Sequence, residues 1–110
     1  MVIEKVFTVH WSRFAQQNLK DIYYYIHEDS PQNAVKVTSD IVALSKSLAH
    51  LPLKYEECTE LPTKSKIYRK ATYAPFKIIY RIKGKRIEIL SVFHSSQNPK
   101  KIFLFRKIKT

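Results

Sequence analysis

The 110-residue chain has one cysteine, one glycine and, in its last fifty positions, one acidic residue. Cys58 has no partner for an internal disulfide, which fits a reducing compartment, and its polar surroundings do not mark it as a nucleophile. A single glycine, Gly84, excludes the glycine-rich loops that hold phosphates in nucleotide-binding proteins. The chain also lacks both an apolar run of about 18 residues and the regions of a signal peptide. These absences predict a cytoplasmic protein that makes no membrane contact.

Positive charge lies almost entirely in the second half of the chain. Residues 61–110 hold fourteen Lys/Arg against one acid, Glu88, whereas residues 1–60 hold six Lys/Arg and eight acids. A field of one sign over one surface attracts polyanions, of which nucleic acid is the commonest. A solvated basic surface that serves only solubility is the alternative. Because the cations alternate with aromatic and β-branched residues, the sequence favours a specific use of this charge.

Hydrophobic periodicity divides the chain into one strand, two helices and three strands. Residues 3–10 are β-branched and aromatic, which predicts the first strand. Serines that can cap helices then open two amphipathic segments at 12–28 and 30–50. Their apolar stripes are Ala15, Leu19, Ile22 and Ile26, then Ala34, Val37, Ile41, Leu44, Leu48 and Leu51. A loop over 52–65 precedes strands predicted at 66–73, 76–83 and 86–94.

This order of elements predicts an α+β fold. The helical hairpin packs on one face of a mainly antiparallel sheet, and residues 1–110 form a single domain. Residues 101–108 fit either a short edge strand or a mobile basic tail. Within them the apolar residues 102–105 need cover, which either a partner or a return to the sheet as a fifth strand would supply.

A two-residue turn at Gly84-Lys85 fixes the expected strand register. The predicted pairs are Lys83 with Arg86, Arg81 with Glu88, Ile79 with Leu90, and Lys77 with Val92. One face of the sheet would then carry Lys77, Arg81, Lys83, Arg86 and His94. The other face would receive the helices through Phe76, Ile78, Tyr80, Ile82, Ile87, Ile89 and Phe93. A slip of one residue would bury four cations against the helices at a large desolvation cost.

Several side chains of the predicted strands are candidates for function. Arg81 either pairs with Glu88 across the strands or binds phosphate through its planar guanidinium. His94 is either a general acid or base, or a histidine that ends a strand and bonds locally. The face of the sheet on which Arg69 lies depends on the length of the loop at Ala74-Pro75, so either face is compatible with the sequence. The remaining cations assigned to binding nucleic acid or another target are Lys77, Lys83 and Arg86.

No metal or cofactor is expected from this sequence. The histidines outside the last strand do not fall into ligand spacing with one another or with Cys58. These are His10, His27 and His50.

Four ordered groups of residues resemble a known family. They are Trp11-Ser12, Ala15, Leu19, Ile22 and Tyr25-Ile26; Ala34, Ile41, Leu48 and Pro52; Arg69 with 75–82; and 88–90, 92–94 and Asn98-Pro99. Over most of its length the chain resembles the RelE/ParE superfamily of toxins from bacterial type II toxin–antitoxin modules. The resemblance implies a growth-inhibiting, plasmid-stabilisation type of toxin. A cognate antitoxin would wrap and silence it, with a toxin–antitoxin heterotetramer as one assembly.

Within that superfamily the resemblance leaves two activities open. ParE-like members poison DNA gyrase and are not regarded as nucleases, whereas RelE-like members cleave messenger RNA on the ribosome. In the RelE-like alternative, Arg69 and Arg81 would hold the scissile phosphate and His94 would move a proton. Ser95-Ser96 matches neither branch, because such nucleases often carry tyrosine there and gyrase poisons often carry arginines. The uninterrupted helical hairpin over 12–50 favours the ParE-like branch.

Overall fold

Residues 6–58 and 68–97 are described in a computed structural model of the chain. The elements are β1 (Thr8–Trp11), α1 (Arg13–His27), α2 (Pro31–Ser47), β2 (Arg69–Tyr73), β3 (Phe76–Lys83) and β4 (Arg86–His94). The predicted order of strand, two helices and three strands is therefore confirmed. The first strand is shorter than predicted, because Val6 and Phe7 precede it without pairing as strand. The predictions for 101–108 and for the apolar residues 102–105 lie outside the described residues.

The sheet has the strand order β1-β4-β3-β2. The pairs β2–β3 and β3–β4 are antiparallel hairpins. β1 runs parallel to β4, because the helical hairpin returns the chain from one end of the sheet to the other before β2 begins. The loop before β2 follows that strand's outer edge, where Lys70 donates its backbone N–H to the carbonyl of Glu56 at 3.0 Å. The sheet is thus mainly antiparallel, as predicted.

Both helices begin at the predicted serines. Ser12 Oγ accepts the backbone N–H of Ala15 at 3.0 Å, and Ser30 Oγ accepts that of Asn33 at 3.1 Å. The prediction for the end of α2 was wrong: the helix stops at Ser47, and Leu51 is 56% exposed instead of joining the apolar stripe. Leu48, Ala49 and His50 donate their backbone N–H groups to the third residue back, which tightens the chain into turns, so Leu51 does not continue the apolar stripe.

The main core lies between the helices and one face of the sheet, which we call the helix face. Its buried members are Ala15, Ile41, Leu48, Ala71, Ile78, Tyr80, Ile87, Ile89 and Val92. Burial of this apolar set supplies the main driving force for packing the helical hairpin on the sheet. The other side of the sheet is called the outer face below.

A β-bulge divides the hairpin of β3 and β4 into two parts. From the turn to Tyr80–Ile89 every pair follows the predicted register, including Lys83 with Arg86 and Arg81 with Glu88. Beyond that point Leu90 is an extra residue, so Ile79 pairs with Ser91 and Lys77 with Phe93. The predicted pairs of Ile79 with Leu90 and Lys77 with Val92 were therefore wrong.

Because of the extra residue, the later side chains of β4 lie on the face opposite to the predicted one. Val92 joins the main core, and Phe93 joins a separate cluster on the outer face, which reverses the prediction for Phe93. His94 pairs with Phe76 and so lies on the helix face, not among the cations where it was predicted. One inserted residue produces all of these changes, because side chains of a strand alternate with a period of two.

A second apolar cluster occupies the middle of the outer face. It consists of Cys58, Tyr68, Ile79, Leu90 and Phe93, each no more than 6% exposed. The outer face therefore carries buried apolar side chains between its cations; Ile79 and Leu90 were predicted on this face, whereas Phe93 was not. Cys58 is buried here, although its local sequence predicted a polar loop. Buried thiols of this kind behave as small apolar side chains.

Candidate functional site

The charged end of the outer face surrounds the turn between β3 and β4. We call this set the turn cluster; it consists of Arg81, Lys83, Lys85, Arg86 and Glu88. Gly84 has φ +60°, and a positive φ at the first turn position alone is the pattern of a type II′ hairpin turn. This turn places Lys83 directly opposite Arg86 and Arg81 directly opposite Glu88. The prediction that Arg81, Lys83 and Arg86 lie near one another on one face is therefore confirmed.

Glu88 is the acid at the centre of the turn cluster. Its Oε1 accepts a hydrogen bond from Arg81 Nε at 2.5 Å, and its Oε2 lies 3.8 Å from an Nη atom of Arg86. Burial raises the pKa of Glu88, but the hydrogen bond from Arg81 and the charges of Arg81, Lys83 and Arg86 outweigh it. The pKa therefore lies below the ordinary carboxyl value. Of the two predicted alternatives for Arg81, pairing with Glu88 is the one found in the structure.

Lys77 is separated from the turn cluster, although both lie on the outer face. It is four residues along β3 from Arg81, which corresponds to about 13 Å of strand. Ile79, part of the outer apolar cluster, lies between them. The predicted binding set of Lys77, Lys83 and Arg86 is thus divided by buried apolar side chains.

Arg69 lies on the opposite side of the sheet from Arg81. It pairs with Tyr80 across β2 and β3, and directly opposed residues of an antiparallel pair share a face. Its Nη1 donates to the carbonyl of Tyr55 at 2.8 Å, and Tyr80 Oη donates to the carbonyl of Pro52 at 2.7 Å. Burial raises the pKa of Tyr80 to about 12, against the opposing influence of Arg69. Both side chains therefore hold the loop that follows α2.

His94 lies at the far end of the helix face, beside α1. Its ring meets the ring of Phe76 edge to face, with 5.6 Å between centroids. The backbone N–H of Ser96 donates to Nδ1 at 3.0 Å, and the hydroxyl of Ser96 lies 2.8 Å from the same atom. Since the backbone N–H can only donate, Nδ1 is an acceptor and the neutral ring carries its proton on Nε2. The structure thus contains the local bonding that was one of the two predicted alternatives.

The three residues assigned to a nuclease mechanism do not form one site. Arg81 is on the outer face, whereas Arg69 and His94 are on the helix face. The partners of the latter two, Tyr80 and Phe76, are four residues apart along β3, or about 13 Å. A general acid or base must be within hydrogen-bond reach of the group it serves. Arg69, Arg81 and His94 therefore do not converge on one point in this arrangement.

A groove of about 660 Å³ separates α1 from the last residues of β4. It is lined by Phe14, Asn18, Asp21, Ile22, Tyr25, Phe76, Val92, Phe93, His94, Ser96 and Gln97. The apolar part of the lining comes mainly from large side chains, and the polar part comes from Asn18, Asp21, His94, Ser96 and Gln97. Alternation along β4 did not predict this groove, because it forms only after the bulge turns His94 towards α1.

Asn18 is a structural residue that sequence reasoning missed. Its Oδ1 accepts the backbone N–H of Val92 at 3.0 Å and the hydroxyl of Ser91 at 3.2 Å. The cap residue Ser12 also donates its hydroxyl to the carbonyl of Leu90 at 3.1 Å. These contacts supply hydrogen-bond partners for backbone groups of β4 beyond Ile89, where its pairing with β1 has ended. No local pattern signals this role, since α1 and β4 are far apart in sequence.

The described part of the chain also bears on metals and membranes. Within 6–58 and 68–97, no three residues among His, Cys, Asp and Glu come together as a group that could hold a metal ion. Among the same residues, neither helix has the length and apolar character needed to cross a bilayer.

The strand, helical hairpin and three-stranded antiparallel unit define the class of small α+β toxin folds. The model of the family "ParE toxin of type II toxin-antitoxin system, parDE" matches residues 9–99. The chain therefore belongs to the ParE toxin family. None of the curated proteins matches this sequence.

Two solved structures are similar to this chain. One is the chromosomal ParDE toxin–antitoxin system from P. aeruginosa, which is 29% identical in sequence with a TM-score of 0.66. The match covers 82% of this chain and 97% of the other. The second is the toxin–antitoxin complex RelBE2 from Mycobacterium tuberculosis, at 18% identity and a TM-score of 0.58. That match covers 81% of this chain and 98% of the other. At this lower identity the second similarity concerns the fold alone.

Proposed function

We propose that this ParE-type toxin inhibits bacterial growth by acting on DNA gyrase. The observation that carries the proposal is the family match over residues 9–99, which selects the ParE branch and not the RelE branch. The continuous helical hairpin, with α1 and α2 separated by only three residues, is in keeping with that branch. Binding to a large protein target requires no assembled catalytic site.

The arrangement of Arg69, Arg81 and His94 supports the same choice. A ribosome-dependent nuclease would need these groups around one phosphodiester, and the described residues hold them in three places. His94 also offers only an N–H in its neutral form, since Nδ1 already accepts from Ser96. To act as a base, the ring would first have to give up the bond from Ser96.

A cognate antitoxin is part of the proposal. The similar structure from P. aeruginosa, at 29% identity, is that of a toxin–antitoxin system. An acidic partner also fits the charge of residues 61–110, where fourteen cations face one acid. Assembly of the two proteins as a heterotetramer is an extension of this proposal that size measurements on the complex would test.

Expression of the chain alone and with the adjacent reading frame tests toxicity and neutralisation together. Growth should stop with the chain alone and resume when the neighbour is also expressed. Unimpaired growth with the chain alone, at a verified protein level, would contradict the proposed toxicity. If the neighbour failed to restore growth, its assignment as antitoxin would be wrong.

Purified gyrase distinguishes the two activities of the superfamily. The chain should inhibit supercoiling, and toeprinting of translating ribosomes should show no new messenger ends. His94→Ala should leave growth inhibition close to that of the unsubstituted chain, because its ring is not placed with Arg69 or Arg81. New messenger ends that disappear in His94→Ala would establish the nuclease alternative instead.

A further inference from the structure

The turn between β3 and β4 presents three cations in open space. Lys83, Lys85 and Arg86 are all exposed, and Lys83 is directly opposite Arg86. A Cβ placed on Gly84 would meet no atom of the described chain within 4 Å beyond its own neighbours. The turn is therefore not covered at Gly84 by any described side chain.

The turn is also fixed to the body of the sheet. The backbone N–H of Thr8 donates to the carbonyl of Lys85 at 3.0 Å, and Thr8 pairs with Arg86 in the parallel ladder. Phe7, just before β1, donates its N–H to the carbonyl of Ala49 at 3.0 Å. Because the backbone carrying the cations is already ordered, binding would cost less conformational entropy than it would on a loose loop.

The cations of the turn cluster differ in how far they are neutralised. Arg81 is held against Glu88 at 2.5 Å, and both side chains are less than one-fifth exposed. The guanidinium of Arg86 is 3.8 Å from the same carboxylate and 53% exposed. Among the described residues, no acid forms an ion pair with Lys83 or Lys85. Lys83 and Lys85 are therefore unpaired within the described residues, and Arg86 is only partly neutralised, because Glu88 is held more closely by Arg81.

We propose that Lys83, Lys85 and Arg86 bind the phosphate backbone of duplex DNA. The choice of DNA rests on the proposed function, because gyrase acts on duplex DNA. Single-stranded nucleic acid is usually held by exposed aromatic rings on which bases stack. The large aromatic side chains exposed in the described part are Tyr24 and Tyr25, both on α1 and not at this turn. Charge without a stacking surface suits a duplex, whose phosphates lie outside and whose bases are already paired.

Salt-dependent binding of a fluorescent DNA duplex to the purified chain tests this inference without gyrase. Each phosphate neutralised contributes about −0.9 to the slope of log K against log salt, so three contacts should give about −2.7. Lys83→Ala, Lys85→Ala and Arg86→Ala should each make the slope shallower by about 0.9. The triple variant should lose on the order of tenfold or more in affinity at about 0.1 M salt.

Lys20→Ala is the matched control. Lys20 is an exposed cation of α1, two residues after Asn18, which bonds to Val92 beyond the bulge. The substitution therefore removes the same charge at the opposite end of β4 from the turn, and it should leave the slope unchanged. Equal losses from Lys20→Ala and Lys83→Ala would mean that the diffuse net charge binds DNA, which would overturn the inference. Lys85→Arg should retain the slope, and circular dichroism should show an unchanged fold for every variant, since these side chains are exposed.

Competing polyanions complete the test. Binding that is stronger to single-stranded DNA or to RNA than to duplex DNA would overturn the proposal. Turn substitutions that weaken only the binding of the antitoxin would also overturn it.

The outcome also separates this inference from the proposed function. A chain that binds duplex DNA through the turn but does not inhibit gyrase would contradict only the proposed function. Gyrase inhibition together with unchanged DNA binding by the triple variant would contradict only the inference.

Discussion

The two parts of the hairpin formed by β3 and β4 differ in how their side chains are directed. Between the turn and Tyr80–Ile89, alternation from Gly84 assigns every residue to the correct face. Beyond Leu90 the same rule gives the wrong face for Val92, Phe93 and His94. The comparison shows that a turn fixes the register only as far as the first bulge.

The difference has direct functional consequences. The part near the turn keeps the turn cluster together on the outer face, as the sequence predicted. The part beyond the bulge moves His94 to the helix face and buries Phe93 in the outer apolar cluster. Arg81 and His94 therefore lie on opposite faces of the sheet, and His94 lines a groove beside α1.

Truncation of the core just before the bulge should have the largest effect on stability. Ile89 is fully buried in the main core beside Tyr80, so Ile89→Ala should lower the free energy of unfolding by about 2–5 kcal/mol. Denaturant unfolding measures the change. Lys83→Ala, in the exposed part of the same hairpin, should stay within about 0.5 kcal/mol. A small change for Ile89→Ala would mean that this part of β4 does not face the helices.

Removal of the support beyond the bulge should have a smaller but local effect. Asn18→Ala leaves the N–H of Val92 and the hydroxyl of Ser91 without their acceptor, which should cost about 1–3 kcal/mol. Amide hydrogen exchange should accelerate at Val92 more than at Ile87, which lies on the other side of the bulge. Equal acceleration at both amides would show that the two parts of the hairpin open as one unit.

The ion pair near the turn should make stability depend on acid. Since the pKa of Glu88 is below 4.5, its ordinary value, the pair stabilises the fold fully above about pH 4.5. That contribution disappears as the pH falls through the lower pKa of the folded state. The unsubstituted chain should therefore exceed Glu88→Gln in stability by up to about 1 kcal/mol at pH 7. Unfolding curves that differ equally at pH 7 and pH 2.5 would contradict this assignment.

Substitution of His94 should have the smallest effect on stability. The ring is exposed and, within residues 6–58 and 68–97, hydrogen-bonds only to its own turn, so His94→Ala should change the free energy of unfolding by about 0.5 kcal/mol or less. Nitrogen NMR at pH 8 should show Nδ1 without a proton and Nε2 with one. The opposite tautomer would contradict the bond from Ser96 and would place His94 differently from the rest of its turn.

The sequence alone predicted the parts of the fold that depend on local patterns. Ser12 and Ser30 mark the beginnings of the helices, because their hydroxyls satisfy amides three residues away. Gly84 marks the turn, because its positive φ suits glycine. The cations near that turn followed from alternation over a few residues. Each of these features involves neighbours in the chain.

The features that the sequence missed involve contacts between distant segments. The end of α2 and the exposure of Leu51 depend on how the chain leaves the helix for β2. The burial of Cys58 depends on an outer apolar cluster formed by three different segments. The facing of Arg69 depends on its pairing with Tyr80, and its bond to Tyr55 depends on the loop before β2.

Charge distribution, capping residues and apolar periodicity thus determined the fold class and located the cations around Gly84. Tertiary structure decided which of those cations remain free, because only packing shows that Glu88 neutralises Arg81 and leaves Arg86 exposed. It also decided the place of His94, since the extra residue at Leu90 is accommodated by Ser12 and Asn18 of the helical region. Alternation is a local rule, whereas a bulge is stabilised by whatever packs against it.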